Sequence, residues 1–139
     1  MKITFYTDPS KKIINPELMA QDAHKWAEMI SKAGLNSRGN KLEKNKISQL
    51  RKFYDEAQRL ADLVRNGEDF RNVIPYIKML NAKAAYAEGR KLVTSEFKNF
   101  ISSSVAEIKI DDQVTFDLFL SFFEAFMGYY KFEESKHSK

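Results

Sequence analysis

The sequence predicts an all-α fold, a compact bundle of about five helices, and three observations predict it. Only three prolines and five glycines interrupt 139 residues. Apolar side chains recur every three or four positions along most of the length, the repeat that lines one face of a helix. No stretch shows the strict alternation of a half-buried strand. The composition, 43% hydrophobic with 30% charged and 13% aromatic residues, suits a soluble folded chain and not a disordered one. A single helical domain over residues 1–139 is expected, large enough to bury a core without covalent staples.

Residues 1–14 are expected to form an extended arm. The first helix lies in INPELMAQDAHKWAEMISKAG, with Asn15 as cap, Pro16 at the first helical position and Gly34 as the stop. Its apolar stripe is Leu18, Ala23, Trp26, Ala27 and Ile30. The loop LNSRGNKLEKN follows and carries Arg38, Lys41 and Lys44. Asn45 is the expected cap of the second helix, in which Ile47, Leu50, Phe53, Tyr54, Ala57, Leu60, Ala61 and Val64 recur at helical spacing. Asn66-Gly67 ends it. The third helix should run from about Asn72 to Arg90, because Pro75 is tolerated only in a first turn, and Gly89 marks its end. Thr94 or Ser95 caps a shorter fourth helix in TSEFKNFISSSV, with Glu96 near the positive end of its dipole. The last helix starts at Asp111-Asp112 and continues to about Glu133, leaving 134–139 as a frayed tail.

Several function classes drop out. The chain has no cysteine, which removes disulfides, thiolate zinc sites and cysteine nucleophiles. Its two histidines are His24, which reads as a surface or helix-packing residue, and His137 in the tail. The carboxylate pairs Asp111-Asp112 and Glu133-Glu134 sit at opposite ends of one helix and do not converge. Capping accounts for the first pair and a solvated tail for the second. NSRGNK lacks the spacing and strand context of a phosphate-binding loop. No enzyme, metal site or cofactor is implied. Apolar runs are too short to span a bilayer, and the N-terminus has no signal-peptide core, so no membrane partner and a cytoplasmic location are expected.

The charge is unevenly placed. Residues 1–92 carry 18 Lys/Arg against 11 Asp/Glu, a balance of +7, and residues 93–139 carry 5 against 8, a balance of −3. A basic front and an acidic back fit a polyanion on one side and a protein on the other. In the third helix Tyr76, Met79, Lys83, Tyr86 and Arg90 fall on one stripe. Cations interleaved with rings suit a nucleic acid, with charge for phosphates and rings for bases or riboses. The same stripe is open to a second reading, half-buried tyrosines with cations snorkelling over them. On the second helix Lys52 and Arg59 share the polar face, with Arg51 alongside and Lys46 at the N-terminus.

In VTFDLFLSFFEAFMGYYKF the polar positions reduce to a narrow strip of Asp117, Ser121, Glu124 and Lys131. A helix apolar nearly all round needs neighbours on every side. Those neighbours are either its own bundle or a partner chain. Part of the ring formed by Phe119, Phe122, Phe123, Phe126, Tyr130 and Phe132 is expected to exceed what one small bundle covers. The surplus would mediate self-association or contact with other subunits.

Three ordered segments carry a family resemblance. ISQLRKFYDEA, residues 47–57, resembles the Ser-Gln-Ile-Arg-Lys-Phe signature that opens the central helix of the small subunit of type III-A (Csm) CRISPR effector complexes. MLNAKAAYAEGR, residues 79–90, is similar to that family's Leu-x-x-Lys-x-Ala-Tyr-x-x-Gly-Arg segment. FLSFFEAFMGYYKF, residues 119–132, is similar to its closing Phe-x-x-Phe-Glu-Ala-x-x-x-Tyr-x-x-Phe helix. The resemblance covers roughly residues 45–133. Lys46 stands where many relatives have threonine, and the first 44 residues match no motif.

What the resemblance implies is a non-catalytic, all-helical subunit, several copies of which line the guide–target RNA duplex and touch the target RNA backbone. The other subunits of the complex would be its protein partners. Sequence reading would belong to the guide RNA, with the protein recognising phosphate and shape. Carried onto this chain, Arg51, Lys52, Lys83, Arg90 and Lys91 become RNA contacts. Lys46 and Arg59 join them from the stripe, and Tyr86 as a ring among the cations. The alternative is a helical protein–protein adaptor whose basic face meets an acidic partner.

Overall fold

The computed structural model describes residues 1–8, 10 and 13–137. Residues 9, 11 and 12 of the expected arm, and 138 and 139 of the expected tail, lie outside the described residues. The elements are a π-helical turn Leu18–Asp22 followed by α1 Ala23–Ala33, α2 Ile47–Arg65, α3 Phe70–Lys78, α4 Leu80–Gly89, α5 Ser95–Ala106 and α6 Gln113–Ser135. The expected third helix is thus α3 and α4 in succession, joined at Met79. Counted as one broken unit they leave five α-helices among the described residues, and the fold is all-α as the periodicity predicts.

The longest helix is the centre of the bundle. α6 packs against α1, α2 and the π turn, while α5 closes on α4 and α1, and α3 on α2. Phe100 of α5 meets this helix with its ring centroid 4.4 Å from Phe126 and 5.3 Å from both Phe122 and Phe123, and it contacts Trp26 of α1 at 5.7 Å. Phe119, Phe122, Phe123, Phe126 and Tyr130 are all fully buried. This corrects the expectation of a surplus for five of the six ring residues. Their coverage comes from the chain's own helices, because α6 has neighbours on all sides except the strip from Asp117 to Lys131. Only Phe132 remains exposed, at 54%. The initial segment also belongs to this packing: Ile3 and Phe5 are buried, Tyr6 bridges to Ile14, and the Tyr6 hydroxyl lies 2.8 Å from Thr115 Oγ1 of α6.

Helix ends explain where the sequence signals hold and where they shift. Asn15 Oδ1 accepts from the Glu17 amide at 3.0 Å, but the first turn after it is π and regular α geometry begins at Ala23. α3 begins at Phe70, where Asp69 Oδ1 accepts from the Arg71 amide at 2.9 Å, so Pro75 falls in the second turn. Pro75 and Arg71 are both exposed, so the carbonyl that proline leaves without an amide faces water. The Arg71 guanidinium and amide hold the Asp69 carboxyl down at about 2. α2 ends as expected in a Schellman turn, with Gly67 at φ 106 donating to Val64 O and Glu68 to Leu63 O. α4 ends in the same motif, Lys91 donating to Glu88 O and Leu92 to Ala87 O, but its left-handed residue is Lys91 at φ 62 and not Gly89. Lys78 is spent on structure: its ammonium donates to Val105 O and Ile108 O at the end of α5, and burial lowers its pKa. Asp112 caps α6 through the Thr115 amide.

Asn45 departs most from its expected role. It does not cap α2, where Lys46 takes the cap position without a side-chain bond. It is fully buried at φ 58, and its side chain bonds elsewhere. Nδ2 donates to Ile30 O of α1 at 2.9 Å and to Thr94 Oγ1 at 2.8 Å, and Oδ1 accepts from the Thr94 amide at 2.8 Å. Its own amide donates to Leu92 O, and its carbonyl accepts from the Tyr130 hydroxyl at 2.6 Å. Gly34 is required beside it for clearance, since a Cβ there would lie 2.3 Å from Lys44 O.

Tyr130→Phe leaves the buried Asn45 carbonyl without its donor and is expected to cost about 1–3 kcal/mol. Asn45→Ala removes three side-chain bonds at a left-handed position and is expected to cost more, on the order of 3–5 kcal/mol. Urea unfolding of both variants measures this. A loss below about 0.5 kcal/mol for Tyr130→Phe would show that the bond is dispensable.

Candidate nucleic-acid interface

Between α2 and α4 lies a cleft of about 330 Å³. Both helices build it with the same spacing. Gln49, Lys52, Phe53 and Glu56 share one face of α2, and Leu80, Lys83, Ala87 and Arg90 one face of α4, with Tyr86 beside them. Phe53, Leu80 and Ala87 are buried and form the floor, with Leu92 half-buried at one end. The rim is therefore polar and cationic over an apolar bed.

The stripe on α4 is exposed. Tyr86 is 65% accessible, and Tyr76 and Met79, which precede it outside the cleft, are more than half accessible. The reading in which these tyrosines are half-buried packing groups therefore fails for Tyr76 and Tyr86. The Arg90 Nη1 donates to Tyr86 Oη at 3.2 Å, and the guanidinium carbon lies 5.8 Å from the ring centroid. A ring and a guanidinium held together at the surface offer a base a stacking face and a phosphate a donor fork.

Of the eight residues expected to contact RNA, Lys52, Lys83, Tyr86 and Arg90 come together at this cleft. Arg59 reaches it through Glu56. Arg51 is exposed on α2 but, one residue from Lys52, projects roughly 100° round the helix, outside the cleft. Lys91 follows Arg90 in the left-handed conformation, which costs a residue with a Cβ about 1–2 kcal/mol. Lys46 is separate: it lines a second hollow with Lys41, Glu134 and His137.

Glu56 is the cleft residue that the basic-stripe argument misses. Its carboxylate accepts from Arg59 Nε at 2.8 Å and Nη2 at 2.9 Å, and from Lys83 Nζ at 3.3 Å. The Arg59 bonds, and then Lys83, hold the carboxyl below its ordinary value despite partial burial. The signal was present, because Glu56 lies four residues after Lys52 and three before Arg59.

A separate apolar hollow of about 470 Å³ is lined by His24 of α1 and by Ala125, Gly128, Tyr129 and Phe132 of α6. The His24 ring stacks on Tyr129 at 4.5 Å, as a helix-packing residue, and Nε2 lies 3.2 Å from Glu133 Oε2. Glu133 is buried, which corrects its reading as part of a solvated tail. Burial pushes its carboxyl up, and hydrogen bonds from Lys136 and His24 outweigh this and bring it below the ordinary value. Among the described residues no three His, Asp or Glu side chains are grouped to hold a metal ion, and no helix is long and apolar enough to cross a membrane.

A family model, Csm2 Type III-A, matches residues 14–136, a span that includes the first helix and the loop after it as well as the three recognised segments. No curated protein and no solved structure gives a significant match to the chain.

The depressed carboxyl of Glu56 has a consequence for stability. Its folded pKa lies below the unfolded value near 4.5, so the pairing stabilises the fold above that pH and is lost as the pH falls through the lower folded value. Melting of the wild type and Glu56→Gln from pH 7 to pH 3 should give midpoints that differ at neutral pH and converge in acid. A gap independent of pH would show that the ion pairs contribute nothing.

Proposed function

We propose that this chain, which belongs to the Csm2 Type III-A family and is thus a small subunit of a type III-A CRISPR effector complex, binds RNA there through the cleft between α2 and α4. The observation that supports this most directly is the exposure of the α4 stripe, where the Tyr86 ring is open to solvent between Lys83 and Arg90. The cations supply phosphate contacts and the ring a sequence-tolerant stacking face. In the complex, copies of the subunit line the guide–target RNA duplex and hold the target strand, and the guide supplies sequence recognition by base pairing. The role is non-catalytic, and its setting is the cytoplasm. The other subunits of the complex are its protein partners. The hollow around Phe132 is the surface we assign to them or to a second copy, in place of the buried aromatic residues of α6.

A second reading draws on Glu56, because a carboxylate already satisfies Arg59 and Lys83 as an acidic protein surface would. The two readings part on a simple comparison: an RNA strand and an acidic polypeptide of equal charge, titrated against the same chain.

The test uses the full chain and a single-stranded RNA at several salt concentrations. Binding should be weak, indifferent to sequence and steeply salt-dependent. Lys83→Glu with Arg90→Glu should lower affinity at least about tenfold and flatten the log–log salt slope by roughly 1.4, about 0.7 for each phosphate contact removed. Tyr86→Ala should weaken binding by about 1–3 kcal/mol per stacked base and leave the slope unchanged. Circular dichroism should show intact helices in each variant. Salt-insensitive binding, or binding confined to one sequence, would overturn the reading.

A further inference from the structure

Glu56 is gripped by two cations as an anionic ligand would be. Arg59 holds its two carboxylate oxygens in a two-pronged grip, Nε to Oε1 at 2.8 Å and Nη2 to Oε2 at 2.9 Å, while Lys83 approaches Oε2 at 3.3 Å. A guanidinium fork with an added ammonium is how proteins hold a phosphate dianion or a phosphodiester. The Glu56 side chain is only 19% exposed, whereas those of Arg59 and Lys83 are 56% and 46% exposed. The acid is thus tucked beneath two cations whose outer faces are open to solvent. The apolar bed of the cleft below, with Phe53 and Leu80 buried, lowers the local dielectric and strengthens the grip.

We propose that Glu56 is a built-in competitor of the RNA backbone: its carboxylate satisfies Arg59 and Lys83 in the free chain, and a bound phosphate must take them from it. The inference rests on the RNA-binding reading of this cleft and adds a regulating residue to it. The consequence is a threshold. An isolated anion gains one site and must displace Glu56 alone, so it binds poorly. A strand that also engages Lys52 and Arg90 gains neighbouring contacts at no further translational cost, and these drive the exchange. The cleft thereby favours a continuous polyanion over small phosphates, with no reading of sequence.

The experiment compares the wild-type chain with Glu56→Gln, which keeps the shape and removes the charge, using single-stranded RNA and inorganic tripolyphosphate as separate probes. Glu56→Gln should bind RNA about three- to tenfold more tightly near 0.1 M salt. Its salt slope should stay within about 0.7 of the wild type's, because the same cations reach phosphates in both bound chains. Tripolyphosphate, barely bound by the wild type, should bind the variant measurably. If Glu56→Gln does not fold, Glu56→Ser carries the same comparison. Wild-type RNA binding with equal or weaker binding by the folded variant would overturn the competitor role and make Glu56 a residue that positions Arg59 and Lys83. Absence of RNA binding by both chains would overturn the RNA-binding reading and this inference with it.

Discussion

At Asn45 the chain turns left-handed inside the core, and the bonds formed there join four elements. The side chain donates to a carbonyl of α1 and accepts from the amide of Thr94 at the start of α5, the amide donates to the loop that follows α4, and the carbonyl accepts from the hydroxyl of Tyr130 in α6. A buried asparagine with every donor and acceptor used is expensive to disturb, because each lost partner strands a polar group away from water. Asparagine also tolerates φ 58 better than most side chains. The geometry thus demands one residue for two independent reasons.

The proposed binding surface depends on that junction. Asn45 stands next to Lys46, the cap of α2, and its amide bonds to Leu92, which lines the cleft just beyond Arg90 and Lys91. The distance between the cations of α2 and those of α4 is therefore set from the core side by hydrogen bonds and an apolar floor. On the solvent side the same helices expose Lys52, Lys83 and Arg90 on flexible stems. A rigid spacing below and adaptable cations above suit a ligand whose charge repeats regularly and whose bases vary. Glu56 adds a restraint at the cleft, holding Lys83 and the neighbouring Arg59 in place.

Much of this fold was legible in the sequence, and what was not has physical causes. The apolar repeat of Ile47, Leu50, Phe53, Ala57 and Leu60 specifies α2 because burial of one face outweighs every local signal. Gly67 ends that helix as glycine usually does. The end of α4 falls where Gly89 and Arg90 mark it, but the left-handed position that glycine normally fills is taken by Lys91, which composition does not reveal. Asn45 looked like a cap because a polar residue before a helix usually is one, and its partner Thr94 is 49 residues away. The aromatic ring of α6 was legible as apolar and ambiguous as to what covers it. Helix periodicity marks a buried face without saying whose atoms bury it. Cleft residues Lys52, Lys83, Tyr86 and Arg90 were recoverable from spacing, whereas the separation of Lys46 from them is a tertiary fact.

The central claim, that RNA lies along the exposed face of α4 with its bases against Tyr86, is tested most directly by photo-crosslinking. A single-stranded RNA carrying 4-thiouridine at spaced positions would be irradiated with the full chain, and the adducts mapped by mass spectrometry. The account predicts adducts on Tyr86 and in the peptides carrying Lys52, Lys83 and Arg90, suppressed by raised salt. Adducts confined to the hollow of Lys41, Lys46 and His137, or to the surface around Phe132, would contradict it.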